Sequence, residues 1–105
     1  MKISVLLPYK ENFSPEYPGA VSVFLKDTVV KSKYKKNITI YGHTKFKKKL
    51  LKNYKNINFT RFFLRSNSKI YVKKFLENEK INKSKLIEIH NRPEYVKLIY
   101  KQYKN

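Results

Sequence analysis

The run Lys2-Ile3-Ser4-Val5-Leu6-Leu7-Pro8 constrains this chain more than any other feature. A strand with one wet face alternates apolar and polar residues, whereas a short apolar run rich in branched side chains belongs to a strand covered on both faces. Such strands sit in parallel sheets. A parallel neighbour can be reached only through a crossover, so the rest of the chain has to supply alternating strands and helices.

It does so in order. Tyr9 to Pro18 carries Pro15 and Pro18 with Asn12 and Ser14 and reads as a long loop leaving the strand's carboxyl end. From Gly19 the spacing of Val21, Phe24, Leu25, Thr28 and Val29 predicts a helix running to about Tyr34. Asn37 to Gly42 is a short β-branched strand with a glycine stop. Phe46, Leu50, Leu51 and Tyr54 recur at helical spacing within a lysine-rich stretch and predict a short helix. A third strand is read over Asn56 to Leu64 from Ile57, Phe59 and Phe63, and Ser66 or Asn67 then caps a helix with Val72, Phe75 and Leu76 facing inward. Lys85 to His90 is a fourth strand. Asn91 caps a last helix with Pro93 and Glu94 in its first turn and Val96, Ile99, Tyr100 and Tyr103 on one face. The expected class is α/β: a Rossmann-like, three-layer parallel sheet of about four strands flanked by helices, with residues 1–105 forming one domain.

Composition bounds what such a domain does. With 41% apolar residues and sixteen aromatics the chain is expected to fold, although it carries 25 Lys plus Arg against 7 Asp plus Glu, a formal charge of +18. A nucleic-acid footprint has this bulk signature. So does mutational bias, because Lys, Asn, Ile and Tyr, all with AT-rich codons, make up 50 of the 105 residues. Only Arg61, Arg65 and Arg92 are arginines, whereas selection for phosphate clamps or base edges favours the bidentate guanidinium, so bias is the preferred cause and a nucleic-acid partner is not expected. Cysteine is absent, which removes disulfides, a thiol nucleophile and thiolate zinc sites. With two histidines and no cysteine no metal is expected. The first apolar run is too short for a signal or a span, which gives a cytoplasmic location as the expectation.

In open α/β sheets ligands sit beyond the carboxyl ends of the strands, which singles out two segments. After the first strand, Pro18-Gly19-Ala20 leads into a helix start, where backbone N–H groups and the helix dipole favour an anion and glycine lets a ligand approach. Taken alone, Gly19 also reads as a glycine that simply turns the chain. After the fourth strand come His90, Asn91 and Arg92: the imidazole can bond a hydroxyl or exchange a proton, and the guanidinium can pair with a carboxylate or phosphate. These three equally read as an ordinary strand-end residue, a cap and a solvated cation. Two glycines in the whole chain leave no dinucleotide fingerprint, and no nucleophile-elbow turn is present.

Together the loop ending Pro18-Gly19-Ala20-Val21 and the strand ending Ile87-Glu88-Ile89-His90-Asn91-Arg92-Pro93 resemble the N-terminal domain of family 4 glycosyltransferases, which have the GT-B fold. Gly19 matches one member of that family's Gly-Gly pair, with Ala20 in place of the other, and His90 with Asn91 matches the strand-four end. The resemblance implies an incomplete N-terminal, acceptor-side domain of an enzyme moving a sugar from a nucleotide-sugar donor to a glycan or lipid-linked acceptor. His90 would face the acceptor or the transferred sugar as the catalytic-site residue, with Pro18, Gly19, Ala20, Asn91 and Arg92 in the binding site. It implies no metal, a donor pocket supplied by a missing C-terminal domain or second chain, no activity of this chain alone, and work in the cytoplasm or at the inner membrane face. The competing class is a small basic module for nucleic acid or anionic membrane surfaces. A sheet ending at its fourth strand also leaves an apolar edge, through which self-association is expected.

Overall fold

A computed structural model describes residues 2–59 and 67–103. The elements are β1 (Ile3–Leu6), α1 (Ala20–Lys31), a 3-10 turn (Lys35–Asn37), β2 (Ile38–Gly42), β3 (Tyr54–Asn56), α2 (Asn67–Asn82), β4 (Leu86–Ile89) and α3 (Pro93–Tyr103). The four strands form one all-parallel sheet in the order β3-β2-β1-β4, with Leu6 opposite Tyr41 on one side and Ile89 on the other. This is the expected α/β, Rossmann-like architecture.

The first run earns its central place by filling both layers. Val5 and Leu7 pack with Phe13, Leu25, Val29 and Ile40 on the α1 side. Leu6 packs with Tyr41, Tyr71, Val72, Phe75, Tyr95 and Ile99 on the opposite side, where α2 and α3 lie. Each such side chain taken from water contributes roughly 1.5–3 kcal/mol, so two small cores share one strand as their floor. Tyr71 joins the layers covalently distant from each other by donating its buried hydroxyl to the carbonyl of Leu7 at 2.6 Å.

Several local expectations are corrected. In α1 the inward residues are Ser22, Leu25 and Val29, while Phe24 is 59% exposed. The polar Ser22 takes the inward position because its N–H and hydroxyl both bond the carboxylate of Glu11, which fixes the helix's rotation. No helix forms over Phe46 to Tyr54; that stretch is bends and turns running into β3. Leu50, Leu51 and Tyr54 instead cover the α1-side core, and the Leu50 N–H bonds the carbonyl of Phe13 at 3.2 Å. The Lys49 ammonium donates to the carbonyls of Thr44 and Phe46, so side-chain bonds replace a helix ladder among like charges.

The third strand is earlier than its apolar pattern suggests, at Tyr54–Asn56, with Ile57 bonded by its N–H to Gly42 at 2.7 Å; Phe63, Leu64 and Ser66 lie outside the described residues. Asn67 is the first residue of α2. Val72 and Phe75 are buried as expected, and Leu76 packs against the same core. Asn91 does not cap α3: it stands two residues before the helix with φ of 53°, a left-handed conformation that asparagine tolerates, and Pro93 opens the helix. The inward face of α3 is Tyr95 with Ile99, whereas Val96 and Tyr100 are exposed. Tyr95 wins because it brings a large ring against Tyr71 and a hydroxyl that the backbone of Tyr9 uses. The Tyr103 side chain lies outside the described residues.

At the amino edge of the sheet a polar knot is buried. Glu79 of α2, 1% exposed, accepts from the hydroxyls of Ser4 and Ser84 and from the Ser84 N–H, and Asn82 donates to both serines. Among the described residues no helix is long and apolar enough to cross a membrane.

Candidate functional site

From β1 the chain moves to β2 and β3 on one side of the sheet and then returns to β4 on the other, so the direction reverses at the β1–β4 pair. A crevice opens at the carboxyl ends of strands at such a reversal. The two segments singled out in the sequence leave from there: residues 7–19 follow β1, and His90 to Arg92 follow β4. A direct bond ties the two sides, the backbone N–H of Tyr9 donating to the Tyr95 hydroxyl of α3 at 3.0 Å.

The start of α1 already holds an anion. Glu11 reaches across its loop so that its Oε2 accepts from the Ser22 N–H at 3.1 Å and the Ser22 hydroxyl at 2.7 Å, at the third helical position. Gly19, in extended backbone at φ −74°, precedes the helix, and a Cβ placed there would stand 1.6 Å from that carboxylate oxygen. Gly19 therefore makes room for an acid that satisfies the helix end from within the chain. Pro18 and Ala20 beside it are exposed.

His90 is half-buried, its Nε2 2.9 Å from Oε2 of an exposed Glu88, a pairing that orients the ring. Arg92 bonds the carbonyl of Asn91 at 2.7 Å and stands 4.0 Å from the Glu94 carboxylate, and Asn91 itself is exposed. The carboxyl edge thus gathers the two segments without a bond between Gly19 and His90 in either's set of partners.

Sequence reasoning missed a concavity at this edge. A cleft of about 390 Å³ is lined by Lys10 and Asn12 from the first loop and by His43 and Lys45 from just beyond β2. None of the six residues singled out earlier lines it. Of its lining residues His43 is aromatic, and the rings of Tyr9 and Phe59, which pack against the α2-side core, lie 5.2 to 5.3 Å from the His43 ring. Its frame is Thr44, buried, whose hydroxyl accepts from the Phe13 N–H and reaches the Glu11 carbonyl, and whose N–H bonds Asn56. Tyr54 sets its hydroxyl 2.9 Å from Thr44 Oγ1, and burial pushes that phenol up to about 12. The lysine-rich segment hid this arrangement, because its regular apolar spacing reads as a solvated helix; the strand-end pair His43-Thr44 after Gly42 was the available signal.

Among the described residues no group of three acidic, histidine or cysteine side chains stands ready to hold a metal ion. Comparison with protein-family models, with curated proteins and with solved structures finds no match to this chain.

Proposed function

We propose that this chain is the N-terminal, acceptor-side part of a glycosyltransferase that moves a sugar from a nucleotide-sugar donor to a glycan or lipid-linked acceptor. One observation carries the reading. The loop after β1 and the turn after β4, which bear the resemblance to family 4 glycosyltransferases, leave the same carboxyl edge on the two sides of the sheet's reversal, joined by Tyr9 and Tyr95. In this reading His90, oriented by Glu88, bonds an acceptor hydroxyl, and the wall of the cleft positions the acceptor while charge on the departing nucleotide is stabilised from the other side. The donor is held by a further domain or a second chain, with no metal, in the cytoplasm or at the inner membrane face.

The occupied helix start sharpens the assignment to the acceptor side. A donor phosphate would have to displace Glu11 from the Ser22 amide and hydroxyl of α1, and like charge opposes that. The competing module for nucleic acid or anionic surfaces calls for lysines gathered on one face. Here Lys26 and Lys31 stand on α1, while Lys73, Lys74 and Lys80 stand on α2 across the sheet.

The test is an amide NMR titration of the 105-residue protein with oligosaccharide and polyprenyl-phosphosugar analogues, beside a transfer assay with nucleotide sugars. Shifts confined to residues 7–19 and 89–95 with no turnover are expected. Sugar transfer by this chain alone would overturn the half-cleft reading, and acceptors that perturb no resonance at this edge would overturn the assignment itself.

A further inference from the structure

We propose that the cleft between Lys10, Asn12, His43 and Lys45 is a binding site for a small phosphate ester, the phosphate held by the two ammonium groups and the organic part laid against the His43 ring. The proposal does not rest on the transferase reading, since a phosphate ester bound here by a chain that transfers no sugar leaves it standing.

The charges come first. Among the described residues neither Lys10 nor Lys45 has a carboxylate within ion-pair distance; each lies instead over a neighbouring ring, Lys10 5.7 Å from the centre of Tyr9 and Lys45 5.5 Å from that of Phe46. Glu11, the acid nearest in sequence, is committed to the start of α1. The Glu11 carboxylate is thus drawn to the helix start, and the positive charge of Lys10 and Lys45 stays at the cleft, within the field of a chain of formal charge +18. Lys10 is placed by backbone conformation: its φ of 71° is left-handed, a setting costly for lysine that the surrounding loop imposes.

The polar groups between the lysines suit an ester better than a bare anion. His43 sets Nδ1 2.7 Å from the Ile57 carbonyl, which can only accept, so Nδ1 carries the proton and Nε2, the acceptor of the neutral ring, is left to meet a hydroxyl of the ester's organic part. The Asn12 side chain is pinned through Nδ2 to the Tyr17 carbonyl. Tyr9, 5.3 Å from His43 ring to ring, has a buried hydroxyl with no hydrogen-bond partner among the described residues, one polar group more than the fold itself uses. A volume of about 390 Å³ falls in the range of small-molecule sites and is far below a nucleic-acid groove.

The experiment uses calorimetry on the whole chain with glucose 1-phosphate as probe and glucose as control, at near-physiological salt. Saturable one-to-one binding of the ester and none of the free sugar is expected. Lys10→Asn with Lys45→Gln, asparagine chosen because it accepts a left-handed backbone, should weaken binding at least about tenfold, the loss of one charge-assisted bond or more. Lys80→Gln with Lys97→Gln removes the same charge from exposed sites on α2 and α3 and should stay within about twofold, with unchanged amide spectra confirming that both variants fold. A second arm measures binding to phosphatidylinositol in phosphatidylcholine vesicles. Capture competed by inositol 1-phosphate identifies a lipid headgroup as the source of the phosphate, and ester binding without capture identifies a soluble one. No saturable ester binding, equal losses in the two double variants, or vesicle or RNA binding that no soluble ester competes would each overturn the proposal.

Discussion

The two ends of the sheet each use a glutamate in the same way and for different ends. At the amino edge Glu79 is 1% exposed and accepts from Ser4, Ser84 and the Ser84 backbone. At the carboxyl edge Glu11 is half-buried and accepts from the hydroxyl and backbone of Ser22. Glu79 ties α2 to β1 and to the turn that leads into its neighbour β4, so it belongs to the body of the fold. Glu11 ties a long loop to a helix start beside an open cleft. The lesson is that one chemical device, a carboxylate shared between a serine and a backbone amide, locks structure where water is excluded and sets the course of a loop beside a cleft where it is not.

The largest expected effect tests the lock. Glu79→Ala leaves the Ser84 amide and two hydroxyls without their acceptor in a dry site and should cost about 3 kcal/mol in chemical denaturation, a large part of the stability of a chain this size. Glu79→Gln keeps one acceptor oxygen and should cost about 1 kcal/mol. Should Glu79→Ala prove no more harmful than Glu11→Ala, the two ends do not differ as argued.

Next comes a cycle at the other end. Glu11→Ala removes the α1 cap at a cost of about 1 kcal/mol, and Gly19→Ala should cost a similar ~1 kcal/mol by pushing the same carboxylate away. In the Glu11→Ala background the Gly19→Ala change should then be nearly free, a coupling readable by equilibrium denaturation of the four proteins. A full Gly19→Ala penalty without Glu11 would mean that the glycine serves something other than this carboxylate, and would restore the reading in which it admits a ligand.

How much of this was legible is best seen residue by residue. The Ile3–Leu6 strand stood out because its burial is written in one short run, whereas α1 and β4 were legible as elements from apolar spacing that did not give their burial, Phe24 of α1 and Leu86 of β4 being exposed. Phe46, Leu50, Leu51 and Tyr54 misled because a loop packed over a core buries apolar residues at whatever spacing its path dictates, and here that path matched a helix. The anion-favouring start of α1 was legible; the anion's identity was not, since Glu11 is brought there by a loop whose course depends on Lys10 and Tyr17 both taking left-handed backbone. The cleft of Lys10, Asn12, His43 and Lys45 draws on two loops more than thirty residues apart, and spacing carries no trace of such a meeting.

A smaller effect probes the frame beneath that cleft. Tyr54→Phe removes a hydroxyl from Thr44 and Asn56 and should cost about 1 kcal/mol at neutral pH. The phenol's folded value, about 12, stands above its ordinary 10 because burial disfavours the phenolate. The folded state therefore holds this proton more tightly, and the stability it gives is complete below pH 10 and lost as pH rises from 10 through 12. Tyr71, raised by burial, and Tyr41, raised by burial and by the charge of Glu79, push the same way. Denaturation across that window should show the wild type losing stability more steeply than Tyr54→Phe; parallel curves would mean that this phenol is not held by the fold.

The smallest expected effect belongs to His90. Its bond to Glu88 lies at the sheet's edge with the carboxylate half in water, where such pairs contribute well under about 1 kcal/mol, and neither residue holds a buried donor or acceptor of another element. His90→Ala should therefore change the denaturation midpoint by less than the experiment resolves easily, about 0.5 kcal/mol or below. If the carboxyl edge exists for a ligand, the same substitution must show elsewhere, as loss of the NMR shifts that glycan acceptors induce at residues 89–95. The ratio between the two readouts separates the ends of the sheet: Glu79→Ala should lower stability and alter acceptor response only in proportion to unfolding, whereas His90→Ala should do the reverse. A His90→Ala protein that unfolds easily and still responds to acceptor would place this histidine with the fold's supports, and the asymmetry between the edges would have to be carried by the cleft beyond β2 alone.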